Sequence, residues 1–526
     1  MKALKITIVV LVALAIVLLG TAYFVLSASL PTLNGELRNL EIEAPVTLSR
    51  DSQGTAVVQA ETMQDASFAL GYAHAQDRLF QMDLLRRNAA GELSELFGSI
   101  ALNNDKKHRF HQFRKRAELI VLQLPREQLA ILNAYTAGVN AYVAEQTVPT
   151  FEYLITQTSF KPWVPEDTIL ATFSMYIDLQ LSQVERDFNF TGIEYYAGKD
   201  VLAFLTQPSP FQATMDFSVV PPVELEIPDI SHLLTSTQTS VANPYDGDDY
   251  VMHIDVETND FMFEEPKDIG SNNWVVSGEL SYNGRGAILA NDMHLGLNVP
   301  TLWYRTQLNY FYDDEDITVT GLSLPGTPLI VVGATENIAW GFTNSGIDNV
   351  DWVALDPKHP IETRSEIIIV KDKDPYLYEI PMTTIGPVKY IDDSALALKW
   401  VAHEPYAINL QLGWLPHFKR YEEALEHAKS IRVPVQNMVI ADAKGNAGWQ
   451  LTGAITSRTN PTNTAMEQEM FDAANWRVSE KAPANVVNPN HGRIWSANAR
   501  MVSANDLSRY GNGGYALGVR QKQIAD

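Results

Sequence analysis

The chain has 526 residues, 46% hydrophobic and 10% aromatic, with a mean hydropathy of −0.11; this is material for roughly two to four structural units and excludes a disordered or collagen-like chain. Lys and Arg total 39 against 63 Asp and Glu, a net charge of −24 and a pI near 4.8, which argues against a nucleic-acid partner. Cysteine is absent, so disulfides, thiolate zinc sites, iron–sulfur clusters and thiol nucleophiles are excluded together, and redox chemistry says nothing of the compartment.

Lys2 and Lys5 precede an almost unbroken apolar run from Ile6 to Leu26, long enough to cross a bilayer with the positive charges on the inner side. Ser27, Ala28 and Ser29 offer only a mediocre cleavage site, so over residues 1–29 a removed signal peptide and a retained anchor both stay open, beside the blander reading of a core helix. Export to the periplasm is expected, with residues 6–26 held in the inner membrane if the segment is kept.

Residues 30–222 read as helix-rich. Phe68, Tyr72, Ala75, Leu79 and Met82 recur at steps of three and four and form one apolar stripe, while Asp77, Arg78, Asp83, Arg86 and Arg87 sit elsewhere on the wheel. Further helices are expected from Arg126 to Val143 and around Asp167 to Glu185, the latter approached through Pro162 and Pro165. His108 and His111 have helical spacing, but among Lys106, Lys107, Arg109 and Arg114 they read as an exposed basic face rather than a metal site.

Residues 223–270 form an acidic linker, dense in Asp and Glu between Asp246 and Asp268 against a lone Lys267. From Ser271 to Asp526 the pattern turns sheet-rich, with strand signals at Trp274–Val276, Gly286–Ala290 and Pro328–Val332. Asn283-Gly284 is a type I′ turn signal, and a tight hairpin about it places Ser271 opposite Gly296 and diagonal to His294 on one face.

Gly-x-Ser-x-Gly, His-Glu-x-x-His and phosphate-loop motifs are missing. What remains is Asp268-Ile269-Gly270-Ser271-Asn272-Asn273-Trp274, a hydroxyl residue between a linker and a strand. Gly270 permits the strained backbone that lets the hydroxyl reach the preceding carbonyl. If that attack cuts the chain, Ser271 becomes an N-terminus whose α-amine, with an ordinary pKa of about 7.7–8.0, can deprotonate its own hydroxyl. By pattern alone, Gly-Ser before a strand is also an ordinary loop.

Gly270-Ser271-Asn272-Asn273-Trp274 with Asn291-Asp292-Met293-His294-Leu295, and the stretch Ala69-Leu70-Gly71-Tyr72-Ala73-His74-Ala75-Gln76-Asp77-Arg78-Leu79-Phe80-Gln81-Met82-Asp83, resemble the penicillin acylase (penicillin amidase) family of N-terminal-nucleophile hydrolases. The likeness runs from about Leu40 to the last residues. It implies an α+β fold, a four-layer αββα sandwich with a helix-rich α-chain, cut between Gly270 and Ser271. It implies Ser271 as nucleophile and His294 holding the nucleophile's amine and hydroxyl. The Asn344 backbone N–H and the Asn498 side chain would form the oxyanion hole, with Arg520 orienting Asn498.

The same resemblance implies an acyl pocket of Met175, Leu179, Met293, Leu295 and Phe342, apolar and suited to an acyl chain or aryl group. His294 leans toward aliphatic amides such as acyl-homoserine lactones rather than penicillin G. It further implies one structural Ca²⁺ per α/β pair, held by Asp348, the Val350 carbonyl, Asp351 and Glu185, with Asp506 the nearest further carboxylate. Family members continue beyond the match to Arg520, so the sandwich is expected to be incomplete, with an unpaired sheet edge. The expected function is hydrolysis of an N-acyl amide, β-lactam or acyl-homoserine-lactone like, through an acyl-Ser271. An uncleaved, non-catalytic envelope binding protein and a metal-dependent hydrolase are the alternatives.

Overall fold

The computed structural model describes residues 2–207, 215–221, 224, 226–231, 270–282, 284–458, 461–471 and 473–526. The acidic linker lies outside the described residues from 232 to 269, as does Asn283 of the expected turn.

The apolar run forms helix α1, Lys2–Ala28, none of whose residues is buried. At a mean hydropathy of 2.8 it is, among the described residues, the one helix long and apolar enough to cross a membrane. Next come two short strands, β1 (Thr47–Arg50) and β2 (Ala56–Gln59), in a region expected to be helical. At four residues each they are too short to show a period of two. Helix α2, Met63–Ala90, follows; Thr62 caps its start by accepting from the Asp65 N–H, and Gly91 ends it at φ 66°. The helices Arg126–Glu145 and Pro165–Ala197 match the expected tracts and extend them.

Phe68, Ala75, Leu79 and Met82 of the expected stripe on α2 are buried and Tyr72 is half-buried, but so is much of the polar face. Asp83, Arg86 and Arg87 are all at most 3% exposed. Asp83 accepts from both arginines and from the Tyr153 hydroxyl, while Arg86 also reaches Asp167 and Arg87 reaches Glu95. These charges lie elsewhere on the wheel than the stripe, and they neutralise one another inside the protein rather than in solvent. The His108 and His111 expectation fails likewise: both are buried, His108 against the Asn88 carbonyl and His111 against His403. Burial pushes their pKa values down, His108 to about 4.

Among the described residues the largest sheet has nine strands, in the order β1, β2, β5 (Tyr304–Tyr312), β6 (Glu315–Ser323), β7 (Ile330–Ala334), β8 (Ile338–Asn344), then Gln436–Asp442, Ala447–Thr452 and Asn485–Val487. β2 pairs with β5 in parallel, so the segment before the linker lends two strands to the sheet built after it. A three-stranded sheet runs Arg493–Ser496, β3 (Gly270–Val276), β4 (Ile288–His294).

The strand Gln436–Asp442 shows how the layers stack. Met438 and Ile440 join a core with Leu70, Tyr135 and Val139 of the helices, while Val439 and Ala441 join another with Val275, Ile494 and Trp495 of the small sheet. Alternate residues thus face helices and the second sheet, as a strand buried on both sides requires. The C-terminal helix Val519–Ala525 packs against the strand Arg493–Ser496. The architecture is α+β, as expected; of the expected αββα layers the described residues form a helix layer on two facing sheets, with the short helix Val519–Ala525 against the small sheet.

Candidate active site

Ser271 is the second residue of β3, 6% exposed, on the face turned toward the large sheet. Two elements bring donors to it. β8 ends at Asn344, whose backbone N–H points to Ser271 Oγ at 3.4 Å. The strand Arg493–Ser496 pairs with β3 so that Ser496 faces Asn273, and two residues further the same register brings Asn498 beside Ser271. There the chain turns through φ 66°, a conformation Asn tolerates. The Asn498 Nδ2 donates to Ser271 Oγ at 3.1 Å and its Oδ1 accepts from the Ser271 N–H at 2.8 Å.

Arg520 fixes that carboxamide from behind. Its Nη2 donates to Asn498 Oδ1 at 3.0 Å, and its Nη1 donates to the Ser271 carbonyl at 3.2 Å and to Asn272 Oδ1 at 2.7 Å. With Oδ1 so engaged, the NH₂ side of Asn498 is left facing the hydroxyl. Asn344 is itself held, its Nδ2 donating to the Leu179 carbonyl at 2.9 Å.

His294 does not share the face of Ser271. Ser271 pairs with Met293, and His294 pairs with Gly270, so the expected register about Asn283-Gly284 is wrong. The connection is not a tight turn: β3 stops at Val276 and β4 starts at Ile288. Between them lies a 3₁₀ turn at Gly278–Leu280, with the Gly278 N–H bonded to the Gly445 carbonyl.

On the outer face His294 Nδ1 lies 3.1 Å from Asp292 Oδ2, which also accepts from Asn272 Nδ2 at 3.4 Å. Arg520, Asn272, Asp292 and His294 therefore form a line beside the Gly270–Ser271 bond. Gly270 is an extended strand residue without a positive φ, and a Cβ there would meet the side-chain ends of His294 and Arg520, 2.6 Å from Nε2 and 2.9 Å from Nη2.

Sequence reasoning missed Asn272, Asp292 and Asn291. Asn291 Nδ2 donates to the Asn272 and Phe342 carbonyls, and its Oδ1 accepts from the Phe342 N–H at 3.2 Å. It ties β4, the partner of the strand that carries Ser271, to β8, the strand that ends at Asn344. All three sit inside the tracts quoted for the resemblance, but nothing in their spacing distinguishes a lacing Asn from a turn former.

Of the expected acyl-pocket residues, Met293 lies opposite Ser271 and packs on the core that contains buried Phe342. Met175 is buried on the Pro165–Ala197 helix, one turn before Leu179. Leu295 lies just past the end of β4, half-buried.

The expected calcium ligands do not form a metal cage. Asp348 and Asp351 are buried together with the Val350 carbonyl, but the Arg458 guanidinium occupies their oxygens. Glu185 is elsewhere, half-buried and ion-paired with Lys107. The carboxylate that the helix does bring toward Asp348 is Asp187, whose pKa is pushed up by burial first and by Asp348 second. Among the described residues no three His, Asp or Glu side chains converge as a metal-binding group.

A family model described as penicillin amidase matches residues 45–526. Acyl-homoserine lactone acylase QuiP of Pseudomonas aeruginosa is 26% identical over 469 residues, covering 82% of this chain and 52% of that protein. Penicillin acylase 2 proenzyme of Pseudomonas sp. (strain SE83) is 25% identical over 91% of this chain and 61% of its own length. Penicillin G acylase of Escherichia coli is 23% identical, over 85% and 58%. The chain spans about half the length of the first of these relatives. A solved structure of thermostable penicillin G acylase from Alcaligenes faecalis aligns with a TM-score of 0.40 at 20% identity, covering 47% of this chain and 46% of that one.

Proposed function

The chain belongs to the penicillin amidase family, and on that premise we propose that it is an exported amidohydrolase that cuts itself before Ser271 and then hydrolyses an N-acyl amide through an acyl-Ser271 ester. The observation that carries this reading is the convergence of the Asn344 N–H and the Asn498 Nδ2 on Ser271 Oγ at the start of a strand.

In the single chain the Ser271 nitrogen is an amide and cannot accept a proton. The first step is attack of Ser271 Oγ on the Gly270 carbonyl carbon: the C–N bond breaks, the hydroxyl proton passes to the departing nitrogen, and an ester forms. Water then hydrolyses the ester, leaving a Gly270 carboxylate and a free Ser271 amine.

In the mature form the α-amine takes the hydroxyl proton as Oγ attacks the substrate carbonyl, and gives it to the leaving amine as the amide breaks. Water repeats the sequence on the acyl ester. The Asn344 N–H and Asn498 Nδ2 receive the negative charge that develops on the carbonyl oxygen, a contribution commonly of about 3–4 kcal/mol per donor.

Met175, Leu179, Met293, Leu295 and Phe342 favour an apolar acyl group, and the acyl-homoserine lactone acylases and penicillin acylases among the relatives support an N-acyl amide of either kind. Helix α1 supports export to the periplasm.

Intact mass and N-terminal sequencing of the purified full chain test the reading. Two polypeptides with Ser271 leading the second are expected, together with release of free amine from N-acyl amides; Ser271→Ala abolishes both. A folded, single polypeptide with no turnover leaves the non-catalytic binding protein as the function.

A further inference from the structure

The loop Ile347–Asp351 turns two backbone carbonyls and two carboxylates toward one point, and a single side chain collects them. Arg458 Nη1 donates to the Asp348 carbonyl at 2.8 Å and lies 3.0 Å from Asp348 Oδ1. Its Nη2 donates to the Val350 carbonyl at 2.8 Å, to Asp348 Oδ2 at 3.3 Å and to Asp351 Oδ1. The remaining Asp351 oxygen accepts from Trp476 Nε1 at 2.9 Å, and Asp348 Oδ1 also takes the Val350 N–H at 3.0 Å. The Arg458 side chain is 4% exposed and lies 5.2 Å from the centre of the Trp476 ring.

Two carboxylates and two backbone carbonyls converging in a buried loop are a hard-oxygen set, which a divalent cation prefers. Here that set is already filled by a planar cation whose forked N–H groups match several oxygens at once. The long helix reaches the loop by a direct bond instead of a shared ion, Gln183 Nε2 donating to the Ile347 carbonyl, and it is tied to neighbouring segments by Arg186 Nη2 donating to the Asn512 carbonyl and Trp352 Nε1 donating to the Val184 carbonyl.

We propose that Arg458 is a covalently tethered replacement for a structural divalent cation, so that this chain holds the Ile347–Asp351 loop without calcium and excludes calcium from it. This is independent of whether Ser271 turns over a substrate, and its readouts do not require activity.

The experiment compares the full chain with Arg458→Ala, each exhaustively dialysed against EGTA and then titrated with calcium and with terbium(III). The wild-type protein is expected to carry no calcium by elemental analysis and to keep the same Tm in EGTA and in excess calcium. Arg458→Ala, with the oxygens freed, is expected to melt lower in EGTA, to regain several degrees in calcium, and to show sensitised terbium luminescence saturating near one equivalent. Asp351→Asn in the Arg458→Ala background should abolish that response.

Stoichiometric calcium in the wild-type protein, or a fall in its Tm on chelation, overturns the proposal. So does a folded Arg458→Ala that stays indifferent to both ions. If Arg458→Ala folds only when calcium is present, the proposal stands. If it folds under neither condition, the wild-type titration decides alone.

Discussion

At the scale of single residues, the site depends on which end of one carboxamide faces the Ser271 hydroxyl. Arg520 and the Ser271 N–H both bind Asn498 Oδ1, so its NH₂ is directed at Oγ. Asn498→Gly removes the donor while keeping a residue that accepts φ 66° without strain. We expect kcat to fall by about 10²–10³ with little change in Tm, measured on an N-acyl amide substrate; an unchanged kcat would remove Asn498 from the oxyanion hole. The residue types at Ser271, Asn344, Asn498 and Arg520 were legible through the resemblance, and the structure assembles all four. The side of the sheet on which His294 sits was not, because a ladder's register is a property of two strands and their anchors rather than of the turn dipeptide.

Among elements, the tract from Ala69 to Asp83 does packing work. Where α2 crosses the helix Arg126–Glu145, a Cβ on Gly138 would stand 1.9 Å from the Phe68 carbonyl oxygen, and one on Gly71 would stand 2.3 Å from that of Tyr135. One turn along, His74 bridges the Tyr135 hydroxyl and Ser323 Oγ, each at 2.8 Å, fastening α2 to the large sheet. Gly138→Ala is expected to push the helices apart and cost about 1–3 kcal/mol, read as a lower denaturant midpoint. A midpoint equal to that of the parent would mean the helices yield freely. The period of these helices was visible in sequence; the burial of Asp83, Arg86 and Arg87 was not. Periodicity marks where charges lie on a wheel, and only the partners Asp167, Glu95 and Tyr153 from other elements decide that the polar face is inside.

For the whole molecule, the parallel β2–β5 ladder and the helix–sheet core join residues before the linker to those after it. A cut at Ser271 should therefore leave two polypeptides that co-elute in gel filtration and part only in denaturant; separation in native buffer would contradict this sheet topology. Acid should be a general stress. Burial lowers the pKa of His74 to about 3 and of His108 and His417 to about 4, and holds His111 and His403 well below their ordinary value. Unfolded histidine titrates near 6.5, so below that pH the unfolded chain binds protons that the folded chain does not. The stability is complete above pH 6.5 and is lost as pH falls toward 4, by up to about 1.4 kcal/mol per pH unit for each such group. Melting curves from pH 7 to pH 5 should show a falling Tm, and a flat profile would mean that these rings protonate in place.

By itself the amino-acid order determined the family, the α+β class, the helical tracts, the apolar leader and the identity of the residues around Ser271, because those features reside in local pattern and composition. The register of β3 on β4, the two early strands, the buried charges of α2 and the guanidinium among Asp348, Val350 and Asp351 were decided only in three dimensions. Each requires a partner distant in the chain, and a carboxylate pair has the same appearance in sequence whether a metal ion or an arginine 107 residues later neutralises it.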